Sequence, residues 1–282
     1  MRINARSVAV VTLITFLVAT LSLSIAYQNR NIIREKYELA FHVSASVAVT
    51  THRTRGWPEY IAHGGGAING KEKTNSLEAL NLNYENGFRF FELDFNWTSD
   101  GELVAIHDWN ESKLTTFGGK PKTMSLLEFR QAQTLTELSQ MTLDDVAEWI
   151  RNGHEDAYVV TDIKDHNVDG LRLIASRHYD IQKNFIPQIY RFREMSPARR
   201  LGFPQVILTL YAAEYTESGI LTFVDQQRPF AVTMPPHKTN VNFLGKLNQL
   251  QVMTYTHGVN DTVQQEQMRS LGIRGFYTNT LP

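Results

Sequence analysis

The sequence is 282 residues long, has a formal net charge of −1 and contains no cysteine. Its length suits one large domain or two small ones, and α/β barrels commonly take roughly 200–250 residues. The lack of cysteine excludes disulfides, thiolate nucleophiles and cysteine-ligated zinc or iron–sulfur sites. Because 28 Lys and Arg residues are balanced by 29 Asp and Glu residues, no basic surface and no nucleic-acid partner are predicted.

The chain begins with a long uncharged segment. Residues Ser7–Asn29 carry no charge, and Val8–Ala26 is almost wholly apolar. A helix needs about 20 such residues to cross a bilayer, and the preceding Arg2 and Arg6 favour a cytoplasmic N-terminus. The alternative is a cleaved signal peptide, since Ser24-Ile25-Ala26 offers small residues at a plausible cleavage site.

The length of the apolar run favours the anchor, because a signal-peptide core usually has only ~7–15 residues. We therefore predict a transmembrane anchor or signal segment over residues 1–27, a membrane-proximal linker over 28–55 and a folded domain over 56–282. In both cases the domain lies outside the cytoplasm, in the periplasm or the extracellular space. It is tethered to the membrane if the segment is retained and secreted if the segment is cleaved.

The folded domain alternates short β-type runs with amphipathic helical stretches, which is typical of βαβ units. Eight strands are predicted, at Tyr60–His63, Arg89–Phe95, Ala157–Lys164, Phe185–Tyr190, Val206–Tyr211, Phe230–Met234, Val252–Thr256 and Gly275–Thr278. A ninth run, Leu103–His107, follows the turn signal Asp100-Gly101 and could form a hairpin with the second strand instead of joining the others.

Helical patterns lie between the strands, including Ser76–Asn86, Thr142–Asn152, Val168–Arg177 and Val263–Leu271. Gly87, Gly153 and Gly272 follow three of them, where a left-handed cap favours a residue without Cβ. The alternation predicts an α/β protein with a TIM-type (β/α)8 barrel. An open, doubly wound sheet is the alternative, and the number of units does not separate the two.

Polar side chains end several of the predicted strands, which is where catalytic groups lie in a barrel. Glu92 and Asp94 are two residues apart and therefore point to the same face of their strand. Two carboxylates there repel each other unless a cation or proton lies between them, which favours a hard divalent ion, Mg²⁺ or Ca²⁺. Alternatively, both pair with Lys or Arg, or both are exposed.

Three further polar residues extend this candidate site. Asp162 and Lys164 have the same spacing on another strand and could also be a simple ion pair. His63 precedes three glycines, whose bare backbone would let a phosphate approach the amides of a strand–helix turn. His107 ends the ninth run. Neither histidine is specific alone, but together with the carboxylates and the lysine they indicate a phosphoryl-transfer site.

The order of these residues along the chain resembles a known family. The N-terminal half of the glycerophosphodiester phosphodiesterase family, and the related sphingomyelinase D enzymes, have a similar series, which here reads His63, Thr74-Asn75-Ser76-Leu77-Glu78-Ala79, Gly87, Glu92-Leu93-Asp94, Thr98, Asp100-Gly101 and His107-Asp108. The similarity is densest over residues 62–108 and continues more faintly to Thr278-Asn279.

The resemblance implies a (β/α)8 barrel that hydrolyses a small phosphodiester or a lipid head-group phosphodiester. It assigns one divalent cation, Mg²⁺ or Ca²⁺, to three carboxylates, those of Glu92, Asp94 and Asp162. It makes His63 and His107 the general acid and base, and it places Lys164 at the phosphate. The predicted membrane contact is the N-terminal segment, and no protein partner is predicted.

The chain departs from the family pattern at five positions. Gly64 stands where members usually have Arg, and Thr74 where they usually have Glu. Asp162 replaces the usual Glu, although sphingomyelinase D enzymes also have Asp there. Tyr255 takes the place of a late Trp, and Asn279 that of a closing Asp. The missing arginine leaves the identity of the substrate open.

Two alternative functions remain. One is an enzyme that resembles phosphatidylinositol-specific phospholipase C, since related barrels of that kind also use two histidines and some need no metal. The other is a non-catalytic, membrane-tethered binding module on the same fold, which the changes at Gly64 and Thr74 permit.

Overall fold

The structure is a computed structural model, and it describes residues 20, 24, 26–36, 38–39, 57–112, 117–118, 122–211 and 214–281, with only the backbone at 111 and 112. Most of the predicted anchor, Ser7–Ala26, lies outside these residues. Within the described part of the chain, no helix is long and apolar enough to cross a membrane. The anchor therefore has no support from the structure and stays a prediction.

Eight parallel strands form a closed barrel. They are β1 (Tyr60–Ala62), β2 (Phe90–Trp97), β4 (Tyr158–Ile163), β5 (Phe185–Ile189), β6 (Ile207–Thr209), β7 (Ala231–Met234), β8 (Met253–His257) and β9 (Gly275–Thr278). Each pairs with the next, and β1 pairs with both β9 and β2. This closure confirms the TIM-type barrel and excludes the open sheet.

The ninth predicted run forms a short antiparallel hairpin with β2, as expected. It is shorter than predicted, because β3 covers only Leu103–Val104. The backbone N–H of Ile106 donates to the carbonyl of Val104 at 3.1 Å, and this tight turn ends the strand before His107.

Helices connect the strands on the outside of the barrel. They are α1 (Leu77–Glu85), α2 (Trp109–Ser112), α3 (Leu126–Gln131), α4 (Leu143–Arg151), α5 (Asn167–Arg177), α6 (Met195–Arg200), α7 (Glu217–Gln227), α8 (Val241–Gln249) and α9 (Thr262–Leu271). The predicted glycine caps are confirmed, since Gly87, Gly153 and Gly272 have φ values of 103°, 100° and 110°.

The apolar core has an outer and an inner layer. Phe91, Leu93 and Phe95 of β2 are fully buried in the outer layer, between the strands and the helices. The inside of the barrel is filled from the other faces of the strands, by Ile61, Val160, Ile186, Ile207, Ala231, Met253, Tyr255 and Tyr277. Because side chains alternate along a strand, the outward apolar side chains of β2 leave Glu92 and Asp94 pointing inward.

A separate N-terminal helix, residues 26–36, lies against the loop between β6 and α7. The Glu35 carboxylate accepts hydrogen bonds from the backbone N–H of Thr216 at 3.1 Å and from its hydroxyl at 2.7 Å. The hydroxyl of Tyr215 donates to Glu38 at 2.6 Å. Loops that follow strands lie at the C-terminal end of a barrel, so this helix contacts the rim where catalytic groups are expected.

Candidate active site

Three carboxylates meet at the C-terminal end of β2 and β4. Glu92 and Asp94 are 2% and 3% exposed, and Asp94 lies directly beside Asp162 in the register of the two strands. One oxygen from each of the three carboxylates can be chosen so that all lie within 4.8 Å of one another. The predicted cluster is therefore formed by residues that are up to 70 positions apart in sequence, from 92 to 162.

Lys164 joins this cluster immediately after β4. Its Nζ lies 2.5 Å from Oδ1 of Asp94 and 2.8 Å from Oδ2 of Asp162. The ion pair considered as an alternative for Asp162 is thus present, but within a larger group. Three ionised carboxylates and one ammonium give a formal charge of −3 + 1 = −2.

The surroundings shift the pKa values of these acids in different directions. Burial, together with the neighbouring Asp94, raises the pKa of Glu92 well above its usual range. Burial also raises the pKa of Asp162, although Lys164 opposes this shift. At Asp94 burial again favours the neutral acid, but Lys164 outweighs it and the pKa is lowered. The cluster therefore carries more negative charge than one lysine can stabilise.

The residues present fit a hard divalent cation. All three donors are carboxylate oxygens, which Mg²⁺ and Ca²⁺ prefer. The formal charge of −2 would be balanced by one such ion, and the desolvated acids would then need no proton.

His63 lies in a tight turn that begins where β1 ends, beside the cluster. Its Nε2 is 4.0 Å from an oxygen of Glu92, and the N–H of the next residue, Gly64, donates to the same oxygen at 2.8 Å. Burial, followed by the positive charge of Lys73, lowers the pKa of His63 to about 4. Its buried Nδ1 has no hydrogen-bond partner among the described residues.

Asn75 forms hydrogen bonds both to this turn and to Asp94 of the carboxylate cluster, a role that the sequence did not reveal. Its Nδ2 donates to Oδ2 of Asp94 at 2.9 Å, and its Oδ1 accepts the backbone N–H of Asp94 at 3.0 Å. Its own backbone N–H donates to the carbonyl of Gly64 at 3.0 Å. Asn75 has a φ of 51°, a left-handed conformation that asparagine tolerates better than most residues.

His107 follows the hairpin and is more open to solvent. Its side chain is 53% exposed, and its Nδ1 lies 2.9 Å from Oδ2 of Asp108. A positive charge on His107 lowers the pKa of both Asp94 and His63, which places it at the same site. The two predicted histidines therefore approach the cluster from different loops.

Aromatic side chains from the last strands line the other side of the site, and sequence reasoning missed them. The His257 ring stacks on Tyr277 with centroids 4.0 Å apart, and His63 contacts His257 edge-on at 5.9 Å. Tyr211 meets His257 at 4.6 Å. Closure of the barrel brings these residues together, so no local pattern indicates them. Tyr255, by contrast, lies in the inner core, and its hydroxyl donates to the carbonyl of Pro58 at 2.5 Å.

A cavity of about 680 Å³ opens beside the cluster at the ends of β4 and β5. Asp162, Lys164, Tyr190 and Tyr211 join the cavity to the site, and its other charged lining residues are Asp165, Asp169, Arg191, Arg193 and Glu194. The hydroxyl of Tyr190 donates a short hydrogen bond to Asp162. The cavity is therefore continuous with the candidate site.

Comparison with solved structures agrees with this architecture. A glycerophosphodiester phosphodiesterase from Thermotoga maritima superposes with a TM-score of 0.60, at 20% identity, over 80% of this chain and 96% of that one. A phosphodiesterase from Oleispira antarctica, in complex with the product sn-glycerol 3-phosphate, gives a TM-score of 0.62 at 16% identity, over 79% and 93% of the two chains. At such identities the likeness establishes the fold.

Sequence comparison adds the family. The chain is 25% identical over 170 residues to the probable glycerophosphodiester phosphodiesterase 1 of Mycobacterium tuberculosis. That match covers 56% of this chain, and it spans 58% of the length of the relative. The profile of the glycerophosphoryl diester phosphodiesterase family matches residues 55–281, which is most of the chain and includes every candidate site residue. The chain therefore belongs to the glycerophosphoryl diester phosphodiesterase family.

Proposed function

We propose that the protein is a phosphoric diester hydrolase that cleaves glycerophosphodiesters with the help of one divalent cation. The observation that carries this proposal is the cluster of Glu92, Asp94 and Asp162 beside Lys164. The family match, the name of the M. tuberculosis relative and the product bound to the O. antarctica enzyme support the substrate class.

Each residue of the cluster has a part in this reaction. A cation held by Glu92, Asp94 and Asp162 would supply Lewis-acid stabilisation of charge on the phosphate oxygens. Lys164 adds a positive charge at the same end of the strands, where it stabilises the developing negative charge of the transition state. Asn75 holds Asp94 in place through two hydrogen bonds.

The two histidines carry the protons. One accepts the proton of the attacking hydroxyl and the other protonates the leaving alkoxide, since an imidazole nitrogen can both accept and donate a proton. His63 is largely enclosed by the cluster and the aromatic side chains. His107 is exposed, and its Nδ1 faces the Asp108 carboxylate at 2.9 Å. Where the substrate has a free hydroxyl next to the phosphate, that group could attack first and give a cyclic phosphate.

A substrate panel tests the proposal directly. The purified protein is incubated with glycerophosphocholine, glycerophosphoethanolamine and glycerophosphoglycerol, with added Mg²⁺ or Ca²⁺ or with a chelator. We expect metal-dependent release of glycerol 3-phosphate. The matched control is Asp225→Asn, which removes an exposed carboxylate on α7 that pairs with Arg228. A folded protein that releases no product from any diester, with either metal, would instead support the non-catalytic binding module.

We also propose that residues 1–27 place the domain outside the cytoplasm, on the sequence argument alone. Protease added to cells with the outer barrier opened should digest the domain. Protection until the inner membrane is lysed would refute the orientation, and the mass of the mature N-terminus would separate an anchor from a cleaved signal peptide.

A further inference from the structure

We propose that the cavity beside the cluster binds the alcohol part of the substrate, and that Arg191 selects alcohols that carry an additional anionic group. The inference rests on the proposed function and deepens it. It names a substrate class, namely glycerophosphodiesters whose head group ends in a phosphate or a carboxylate.

The position of the cavity relative to the cluster supports its role in binding the alcohol part. Asp162 and Lys164 form one end of its lining, and Tyr190 connects that end to the loop between β5 and α6 through its hydrogen bond to Asp162. Arg191 is the next residue along this loop and also lines the cavity. A diester whose phosphorus lies at Lys164 would therefore place one of its two alcohols in the cavity, within reach of this loop.

Arg191 has no counter-ion among the side chains that the structure describes. Arg191 is half-buried, and it forms no ion pair or hydrogen bond with the side chains that the structure describes. Arg193 also lines the cavity, is exposed, and likewise has no such partner in the described ranges. A half-buried guanidinium is stabilised by an anion that accepts two of its fixed donors.

The acidic residues of the cavity form other contacts and do not pair with Arg191. Glu194, the nearest acid in the loop, accepts hydrogen bonds from the backbone N–H of Tyr190 at 3.0 Å and from Nδ2 of Asn167 at 3.1 Å. Asp169 pairs with Arg172 at 2.5 Å. Asp165 accepts the backbone N–H of His166 at 2.8 Å.

The size of the cavity and the two guanidinium groups in its lining fit such a head group. A volume of about 680 Å³ lies within the usual range of small-molecule sites, roughly 300–1,000 Å³. The lining also carries four carboxylates, of Asp162, Asp165, Asp169 and Glu194. Next to the two guanidinium groups, which form no ion pair with the described side chains, a quaternary ammonium head group is disfavoured by the like charge. The same groups favour a terminal phosphate or carboxylate.

Two substrates that differ only in a terminal phosphate test the inference. For the whole chain, kcat/KM is measured for glycerophosphoglycerol and for glycerophosphoglycerol phosphate, and the ratio of the two values is the readout. We expect the protein to prefer the phosphorylated substrate by on the order of 10-fold, the usual effect of a charge-assisted hydrogen bond. Arg191→Gln should bring the ratio close to 1, and Arg191→Glu should bring it below 1. Arg191→Lys should retain part of the preference.

Arg200→Gln is the matched control, because Arg200 is an exposed arginine of α6 that does not line the cavity. It removes the same charge and should leave the ratio unchanged. Hydrolysis of both substrates without preference, or a ratio that Arg191→Gln does not change, overturns the inference but leaves the proposed function intact. If neither substrate is hydrolysed, the proposed function fails. Calorimetric binding of glycerophosphoglycerol phosphate to the protein and to Arg191→Gln then decides the inference, which is refuted by equal affinities.

Discussion

The Cα atom of Lys73 lies 2.5 Å from the position that a Cβ on Gly64 would occupy. Gly64 also has a φ of 56°, so the turn after His63 excludes a side chain both by conformation and by space. The arginine that the family usually has at this position therefore does not fit the present loop. The backbone path through Lys73 is therefore compatible only with glycine at position 64.

Gly64→Ala should lower both stability and activity. The left-handed conformation costs a residue with Cβ about 1–2 kcal/mol, and the overlap with Lys73 adds about 1–3 kcal/mol. Activity should fall because the N–H of Gly64 holds Glu92. Denaturant unfolding and kcat/KM are the measurements. Gly70→Ala is the control, since Gly70 has a φ of 74° but nothing within 4 Å of its Cβ position. If Gly70→Ala lost as much stability as Gly64→Ala, the overlap with Lys73 would not be the cause.

The histidine pair gives a second prediction. His63→Ala and His107→Ala should each reduce kcat by at least ~10²-fold, the usual contribution of a general acid or base. His154→Gln is the control, because His154 lies in the loop that precedes β4, at the opposite end of the barrel, and stacks on Trp149. Near-normal turnover of a folded His63→Ala or His107→Ala protein would refute the role assigned to that residue.

The carboxylate cluster gives a third prediction. Chelation should abolish activity, Glu92→Gln should abolish it even at high metal concentration, and Asp162→Asn should raise the metal concentration needed for the half-maximal rate. The side chain of Asp162 is shorter than the glutamate usual in the family, which would either weaken metal binding or leave a place for a water, which Mg²⁺ accepts readily. If Asp162→Asn leaves the metal dependence unchanged, Asp162 is only the ion-pair partner of Lys164.

Activity on phosphatidylinositol that survives chelation would support the phospholipase C-like alternative.

Gly219 and Glu35 give a fourth prediction. An added Cβ on Gly219 would lie 1.3 Å from Oε1 of Glu35, so Gly219→Ala must displace the Glu35 side chain from its hydrogen bonds to Thr216 and should destabilise the protein. In an otherwise open helix, Gly→Ala stabilises by about 1 kcal/mol. In the Glu35→Ala background, Gly219→Ala should therefore stabilise the protein instead of destabilising it. A double-mutant cycle on the free energy of unfolding measures this reversal.

Gly245→Ala is the control for this cycle. Gly245 lies inside α8 with nothing within 4 Å of its Cβ position. The substitution should be stabilising in both backgrounds. A stabilising Gly219→Ala in the otherwise unchanged chain would mean that the Glu35 side chain is not held against Gly219 in solution.

The parts of the fold that were predictable are those with a local physical cause. Alternation along β2 separates Phe91 and Leu93 from Glu92 and Asp94, and it therefore indicated both the outer core and the inner acids. The left-handed glycine caps were predictable for the same reason, because a residue without Cβ is favoured at that one position.

The parts that were missed depend on contacts between distant segments. His257 reaches His63 only because the barrel closes between β9 and β1. Asn75 acts through a backbone conformation and two bonds to Asp94, which no spacing along the chain encodes. The strand predicted over Val206–Tyr211 is shorter, Ile207–Thr209, because the pairing with β7 extends over only three residues of β6.

The position of the N-terminal helix determines which end of the barrel lies near the N-terminal segment. Its 11 residues, 26–36, correspond to about 16 Å of helix. The helix contacts the barrel through Thr216 at the C-terminal rim, not at the end where the strands begin. The helix is thus docked at the substrate side of the barrel, although β1 begins at the opposite end together with the other parallel strands. If the residues before the helix are held at a surface, the helix keeps the site end of the barrel near that surface, and diesters released there would reach the cavity by a short path.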